Sequence, residues 1–176
     1  LTSIKWTSLR QQTLDNKDFP KKGILFRDIS PLLENKDAFK LLILKMINEI
    51  KKYQIDLIAG IDSRGFLFST ILAHQLNIGS IMIRKPNKLP GYVIEKKYEL
   101  EYGTSSLSIQ KKRYLNGKNL LIVDDLLATG GTLKCAEDLI SDVGGKVILT
   151  LVAIELNALK GRKKIQSDVF SVLTYD

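Results

Sequence analysis

Four short apolar runs, spaced by helical patterns, set the tightest limit on what this chain can fold into. They cover residues 55–61, 80–83, 120–123 and 147–154. Each is almost continuously apolar rather than alternating. That predicts strands buried on both faces, the habit of parallel sheets. Between them, 37–52 carries Phe39, Leu42, Met46, Ile47 and Ile50 on one helical face, and 132–143 carries Leu133, Ala136, Ile140 and Val143. Gly144-Gly145 then stops the second helix. Strand and helix in alternation predict an α/β chain with a parallel-rich central sheet and right-handed crossovers. The stretch 65–76 is apolar nearly all round. It reads as a helix covered on both sides, by another element or by a second subunit.

Residues 85–114 break this rhythm with Pro86, Pro90, Gly91 and Gly103. Within them, Leu107 and Ile109 alternate with Ser106, Ser108 and Gln110, the pattern of a half-exposed strand. The segment reads as an inserted loop and hairpin over the carboxyl edge of the sheet, where lids are often built.

Composition narrows the class. Apolar residues make up 44% and charged residues 26%, a globular balance. The longest apolar candidate, 147–156, is broken by Thr150 and Glu155 and is too short to span a bilayer. Lys5 and Arg10 interrupt the start, so no secretory signal is expected. The lone Cys135 allows no internal disulfide and points to a reducing, cytoplasmic compartment. The net charge of +8 favours anionic ligands. Its clusters, such as Lys111-Lys112-Arg113 and Arg162-Lys163-Lys164, are short, scattered and free of interleaved aromatics, so no nucleic-acid or membrane partner is expected.

The most informative segment is 120–132. An apolar strand ends in Asp124-Asp125, a short loop holds Ala128, Thr129, Gly130 and Gly131, and a helix begins near Thr132. The two glycines let successive N–H groups point into one hollow. The Thr129 and Thr132 hydroxyls add donors, and the helix presents its positive end. This is a phosphate cradle. The carboxylates repel phosphate but suit sugar hydroxyls, or a Mg²⁺ with its waters. A ribose 5-phosphate satisfies both halves. Other phosphate motifs fail. The Gly-Lys pairs at 117 and 145 lack the glycine five positions earlier, and no two glycines stand two apart.

The run 123–132 resembles the phosphoribosyl pyrophosphate signature of type I phosphoribosyltransferases. Four further segments resemble the adenine-using members of that family. They are Asp18-Phe19-Pro20 with 26–33; Gly60 through Phe66; Ile83-Arg84-Lys85 with Lys88-Leu89-Pro90-Gly91; and Tyr98 through Gly103. The likeness spans about residues 9–165. Lys21-Lys22-Gly23 departs from a more usual Pro-Gly, and 92–97 is unusually basic.

The resemblance implies one phosphoribosyltransferase domain over 1–176, with a hood near 15–33 and a flexible lid near 86–110. It implies transfer of a phosphoribosyl group from phosphoribosyl pyrophosphate to adenine, giving AMP and pyrophosphate, with Mg²⁺ held mainly by substrate and water. It implies a homodimer. It assigns pyrophosphate to Ser63, Arg64, Arg84 and Lys88. Phe26 is expected to stack on the purine, while backbone groups of Leu25 and Arg27 read its edge. The adenine amino group needs an acceptor and N1 a donor, which one extended backbone segment offers; a 6-oxopurine reverses that pattern. Glu101, beside Tyr102 on the lid, is expected to close over the reacting bond, as base or as electrostatic stabiliser. Glu99 is a competing carboxylate, on the same face if the strand is extended.

Plainer readings stand beside these. Arg64 also fits a helix-surface cation, Phe26 a core aromatic, Arg84 and Lys88 a solvated loop. His74 reads as packed or at an interface, and Cys135 has no nucleophile context. Two other functions share the cradle: transfer to a different nucleobase, or a regulator that senses phosphoribosyl pyrophosphate.

Overall fold

The computed structural model describes residues 9–19, 21–23, 25–100, 103–112 and 115–176. The chain divides into two compact units, residues 1–45 and 46–176.

In the first unit, β1 (Leu14–Lys17) pairs antiparallel with β2 (Leu25–Asp28). Asp28 accepts hydrogen bonds from Ser30 N at 2.9 Å and Ser30 Oγ at 2.7 Å. That local turn, with Pro31 in the first turn, starts the short α1 (Ser30–Glu34). Asn35 Oδ1 accepts from Asp37 N and Ala38 N, both at 3.1 Å, and so caps α2 (Lys36–Ile50). Ala38, Leu42, Met46 and Ile50 recur at helical spacing along α2 and are all buried.

The second unit is built on five parallel strands. They are β3 (Leu57–Ile61), β4 (Gly79–Ile83), β7 (Asn119–Leu127), β8 (Lys146–Leu156) and β9 (Asp168–Tyr175), in the spatial order β4-β3-β7-β8-β9. The order reverses between β3 and β7. Ligands of such sheets gather at the carboxyl ends there. Helix α3 (Gly65–Leu76) follows β3, and α4 (Gly131–Asp142) follows β7. Gly144 at φ +85° and the bond from Gly145 N to Ile140 O end α4 where Gly144-Gly145 predicts. Ile61, Ile83, Leu120, Ile122, Leu133 and Ala136 belong to one buried cluster.

Two expectations need correction. Strand β6 (Gly103–Gln110), paired antiparallel with β5 (Val93–Leu100), is not half-exposed. Ser106, Leu107, Ser108 and Ile109 are all buried. Ser108 Oγ donates to the Arg84 carbonyl at 3.1 Å and Ser106 Oγ to Glu95 at 2.7 Å. Hydroxyls with partners can be buried where the alternation suggested water. Strand β4, at the edge of the five-stranded sheet, is not buried on both faces, since Ile81 and Ile83 are buried but Ser80 and Met82 are exposed. Within the chain, helix α3 packs along one side, as far as the single chain can cover it. Phe68, Ser69, Leu72 and Ala73 are buried, whereas Leu67 is 45% exposed and His74 is exposed.

Candidate active site

The site starts from unequal ladders. β7 pairs with β3 only as far as Val123, but with β8 through Leu127. Asp124 and Asp125 fall just where β7 has lost its neighbour on the β3 side. The turn after β3 covers that notch. Helix α3 begins so close that a β-carbon on Gly65 would meet the Val123 carbonyl oxygen at 2.5 Å. Arg64, capping α3, places Nε 2.9 Å from Asp125 Oδ2.

Asp124 and Asp125 are both buried. Burial pushes both carboxyls above the usual range. Asp125 raises Asp124 further by repulsion, while the Arg64 guanidinium opposes the rise at Asp125. The Asp125 N–H donates to Asp124 Oδ1 at 2.9 Å.

Arg64 and residues 124–133 line a cavity of about 170 Å³. Ala128, Thr129, Gly130, Gly131 and Thr132 are therefore together on its wall, with both carboxylates and one cation. Gly130 adopts φ +80° and precedes α4, whose first N–H groups have no helical acceptors. The arrangement can take a phosphate on the loop N–H groups and hydroxyls on the carboxylates.

Ser63, Arg84 and Lys88 are not among the residues lining this cavity. The peptide joining Asp62 to Ser63 is cis. Arg84 Nε lies 3.1 Å from Asp62 Oδ2, and its guanidinium stands 5.7 Å over the Phe66 ring. Arg84 Nη1 donates to the Lys88 carbonyl at 3.3 Å, so Lys88 is beside Arg84 with its own side chain exposed. Phe26, in the first unit, packs edge-on against Phe19 with centroids 5.1 Å apart. Arg27 pairs with Asp15 across β1 and β2. Leu25 begins β2. Glu101 and Tyr102 lie outside the described residues. Glu99 pairs with Thr104 in the hairpin, and its carbonyl oxygen would be 2.7 Å from a β-carbon on Gly131.

Sequence reasoning missed Gly161, which packs on the cradle, and the ion pair of Arg162 with buried Glu155. Glu155 inside an apolar strand was the available signal. Cys135 is buried, and desolvation pushes its thiol up to about 11, which suits packing rather than nucleophilic attack.

A parallel sheet with an acidic pair, a Gly-Gly loop and a helix at its switch point defines a class. The phosphoribosyl transferase domain family matches residues 30–176. Adenine phosphoribosyltransferase of Halothermothrix orenii is 50% identical over 166 residues, covering 94% of this chain and 98% of that protein. The crystal structure of adenine phosphoribosyltransferase from Thermoanaerobacter pseudethanolicus is 41% identical with a TM-score of 0.93, over 97% of this chain and 100% of that one. The Saccharomyces cerevisiae enzyme, solved with an imino-altritol bisphosphate and adenine, is 37% identical with a TM-score of 0.88, over 96% and 98% of the two chains. The chain belongs to the phosphoribosyltransferases and, within them, to the adenine phosphoribosyltransferase family.

Proposed function

We infer that this chain transfers the 5-phosphoribosyl group from phosphoribosyl pyrophosphate to adenine, giving AMP and pyrophosphate. The observation that carries this reading is the notch beside β7. There Asp124 and Asp125 line one cavity together with the 128–132 loop. A sugar 5-phosphate is the ligand that uses both the carboxylates and the loop. The 5-phosphate takes the backbone N–H groups of 128–132 and the Thr129 and Thr132 hydroxyls. Asp124 and Asp125 accept from the ribose hydroxyls.

The pyrophosphate lies with Ser63, Arg64, Arg84 and Lys88. Arg64 touches Asp125 directly, so the ribose and pyrophosphate sites are mechanically joined. Adenine lies against Phe26, with backbone groups of Leu25 and Arg27 reading its edge. Adenine N9 displaces pyrophosphate at C1′ with inversion, and positive charge grows on the ribose on the way. Glu101 accepts the N9 proton or stabilises that charge as the lid closes, with Tyr102 beside it. The other residues act by positioning.

Among the described residues, no three His, Cys, Asp or Glu side chains stand together as a metal cage. Asp124 and Asp125 are hard oxygen donors, and that donor set fits a Mg²⁺ that keeps mostly substrate oxygens and water. When bound, Mg²⁺ supplies neutralising charge at the pyrophosphate. We read 1–176 as one functional domain with its hood at 15–33 and its lid at 86–110. The protein works in the cytoplasm, consistent with a free, buried thiol. Among the described residues no helix is long and apolar enough to cross a membrane. We place a homodimer contact on the outer face of α3, where Leu67 is exposed. Sedimentation of an active, stable monomer at high dilution would remove it.

The deciding assay mixes phosphoribosyl pyrophosphate and Mg²⁺ with adenine or with hypoxanthine. AMP and pyrophosphate are expected from adenine, with hypoxanthine disfavoured by roughly 10⁴-fold. Equal turnover of hypoxanthine would sink the base assignment. Tight phosphoribosyl pyrophosphate binding without turnover would favour a sensor.

A further inference from the structure

The turn after β8 carries no part of the phosphate motif, yet its backbone is pressed against the cradle. A β-carbon added to Gly130 would overlap the Gly161 carbonyl oxygen. One added to Gly161 would overlap the Ala128 carbonyl oxygen and stand 2.8 Å from Gly130 N. Each face of the contact is main chain, so no flexible side chain can swing aside to relieve a misfit. The next nearest atom is a methyl carbon of Leu127. The three atoms nearest to such a β-carbon therefore all belong to residues 127–130.

Gly161 is itself anchored from two directions. Lys160 takes φ +52° and turns the chain into the short 3₁₀ segment Gly161–Lys164. Arg162 then forks onto Glu155 at the end of β8, with Nε to Oε1 at 3.0 Å and Nη2 to Oε2 at 2.5 Å. Its Nη1 donates to the Val169 carbonyl of β9 at 2.7 Å, and the Ser171 hydroxyl also donates to Glu155 at 2.5 Å. Farther along, Gln166 N and Ser167 N donate to Glu137 of α4 at 3.0 and 2.9 Å. The same short turn is thus tied to the sheet and to the helix that opens from the cradle.

We propose that Gly161, held in place by the Arg162–Glu155 fork, is a positioning residue for the 5-phosphate. It is a backbone stop that keeps 128–130 in the conformation that receives the phosphate. A loop with glycine at φ +80° is free to take other shapes, and something outside it must select one. Selection during folding spares the ligand the cost of ordering the loop. The proposal rests on the assignment of the 5-phosphate to residues 128–132.

Gly161→Ala tests it directly and Arg162→Lys indirectly. Lysine keeps the charge but loses the fork. Gly117→Ala is the control. Gly117 has φ +71° with nothing within 4 Å and precedes the opposite end of β7, so alanine there strains the backbone without touching the cradle. Ribose 5-phosphate binding is measured by calorimetry, and KM for phosphoribosyl pyrophosphate and for adenine by kinetics. Thermal melts check folding. Gly161→Ala should weaken ribose 5-phosphate, and raise KM for phosphoribosyl pyrophosphate, by roughly 10²-fold. Arg162→Lys should do the same by about 5-fold. KM for adenine should stay within about twofold for both, and Gly117→Ala should leave both ligands near parent values. Parent-like ribose 5-phosphate binding in either folded variant overturns the proposal. So does an equal rise in both KM values, or the same loss in Gly117→Ala, since either means general loosening. If Gly161→Ala does not fold, Arg162→Lys alone decides. A parent protein that fails to bind ribose 5-phosphate refutes the phosphate-site assignment itself, a separable result.

Discussion

The loop after β3 and the loop after β7 both join a buried parallel strand to a helix, yet one is made of charged side chains and the other of backbone. In the first, Arg64 is held by Asp125 at 2.9 Å, and Asp62 holds Arg84, which follows β4, at 3.1 Å. In the second, Gly130 rests on Gly161 and Gly131 lies against the Glu99 carbonyl. Side-chain charges balanced by carboxylates can be exchanged one at a time with graded loss. A hollow of N–H groups has no such parts, so it keeps its shape or loses it. The β3 loop should therefore respond to mutation in degrees, and the β7 loop abruptly.

The sharpest break of that contrast is Gly130→Val. It puts a branched side chain at φ +80° and against the Gly161 carbonyl. We expect kcat/KM for phosphoribosyl pyrophosphate to fall by roughly 10³-fold, with adenine affinity within about threefold. Equal loss of both affinities in a folded protein would show that the loop does not hold the phosphate.

The proposed roles give neither loop the proton from N9, and that separates them from the proposed lid. Glu101→Gln should slow single-turnover AMP formation by about 10²-fold while leaving substrate affinities nearly unchanged. Glu99→Gln should act less, because Glu99 lies within the β5–β6 ladder with Thr104 opposite. If Glu99→Gln is impaired and Glu101→Gln is not, the roles belong to the other carboxylate.

Arg64→Gln and Arg84→Gln should show the graded behaviour, each raising KM for phosphoribosyl pyrophosphate by roughly 10-fold. A loss as abrupt as that of Gly130→Val, measured in the same assay, would erase the distinction between the loops.

The smallest effect is on stability. Burial raises both Asp124 and Asp125, so the native state favours their protonated forms relative to the unfolded chain. Their ionisation therefore costs stability as pH rises from the ordinary carboxylate range through the raised native values. Asp124→Asn should stabilise the fold by about 1 kcal/mol near neutral pH, with the gain shrinking toward zero as pH falls below ~4. It should weaken ribose 5-phosphate binding at the same time. Melting curves across pH in which Asp124→Asn never exceeds the parent would contradict this balance.

Much of this architecture is legible in single residues. The apolar runs become β3, β7 and β8 because strands buried on both faces leave no alternation to confuse with a helix, whereas β4, at the sheet edge, is a strand that buries only Ile81 and Ile83 and exposes Ser80 and Met82. The cradle is legible because glycine, hydroxyl and carboxylate occur at fixed spacing on one strand–loop–helix. β9 was missed: Val169, Phe170 and Ser171 are only half-buried, so the strand lacks a continuous apolar mark. The serines of β6 misled for the opposite reason, being buried through bonds to distant partners. Gly161 was illegible because its importance lies in what touches it from residues 127–130. Arg162 looked like part of a surface charge run until Glu155 appeared beneath it.

The offset at β7 has a consequence for how the sheet comes together. Leu57 of β3 lies opposite Leu120 of β7, more than sixty positions later, whereas partners across every other parallel seam are fewer than thirty apart. Closing a chain loop twice as long costs only about 0.6 kcal/mol more, but the search for it is slower. The β3–β7 seam is thus the least local joint of the sheet, and Arg64 and Asp125 meet across it. A ligand that spans the proposed ribose and pyrophosphate sites should fasten the two halves of the sheet at that joint. Amide exchange of residues 58–60 and 121–123 should slow together when it binds, because the same opening exposes both edges.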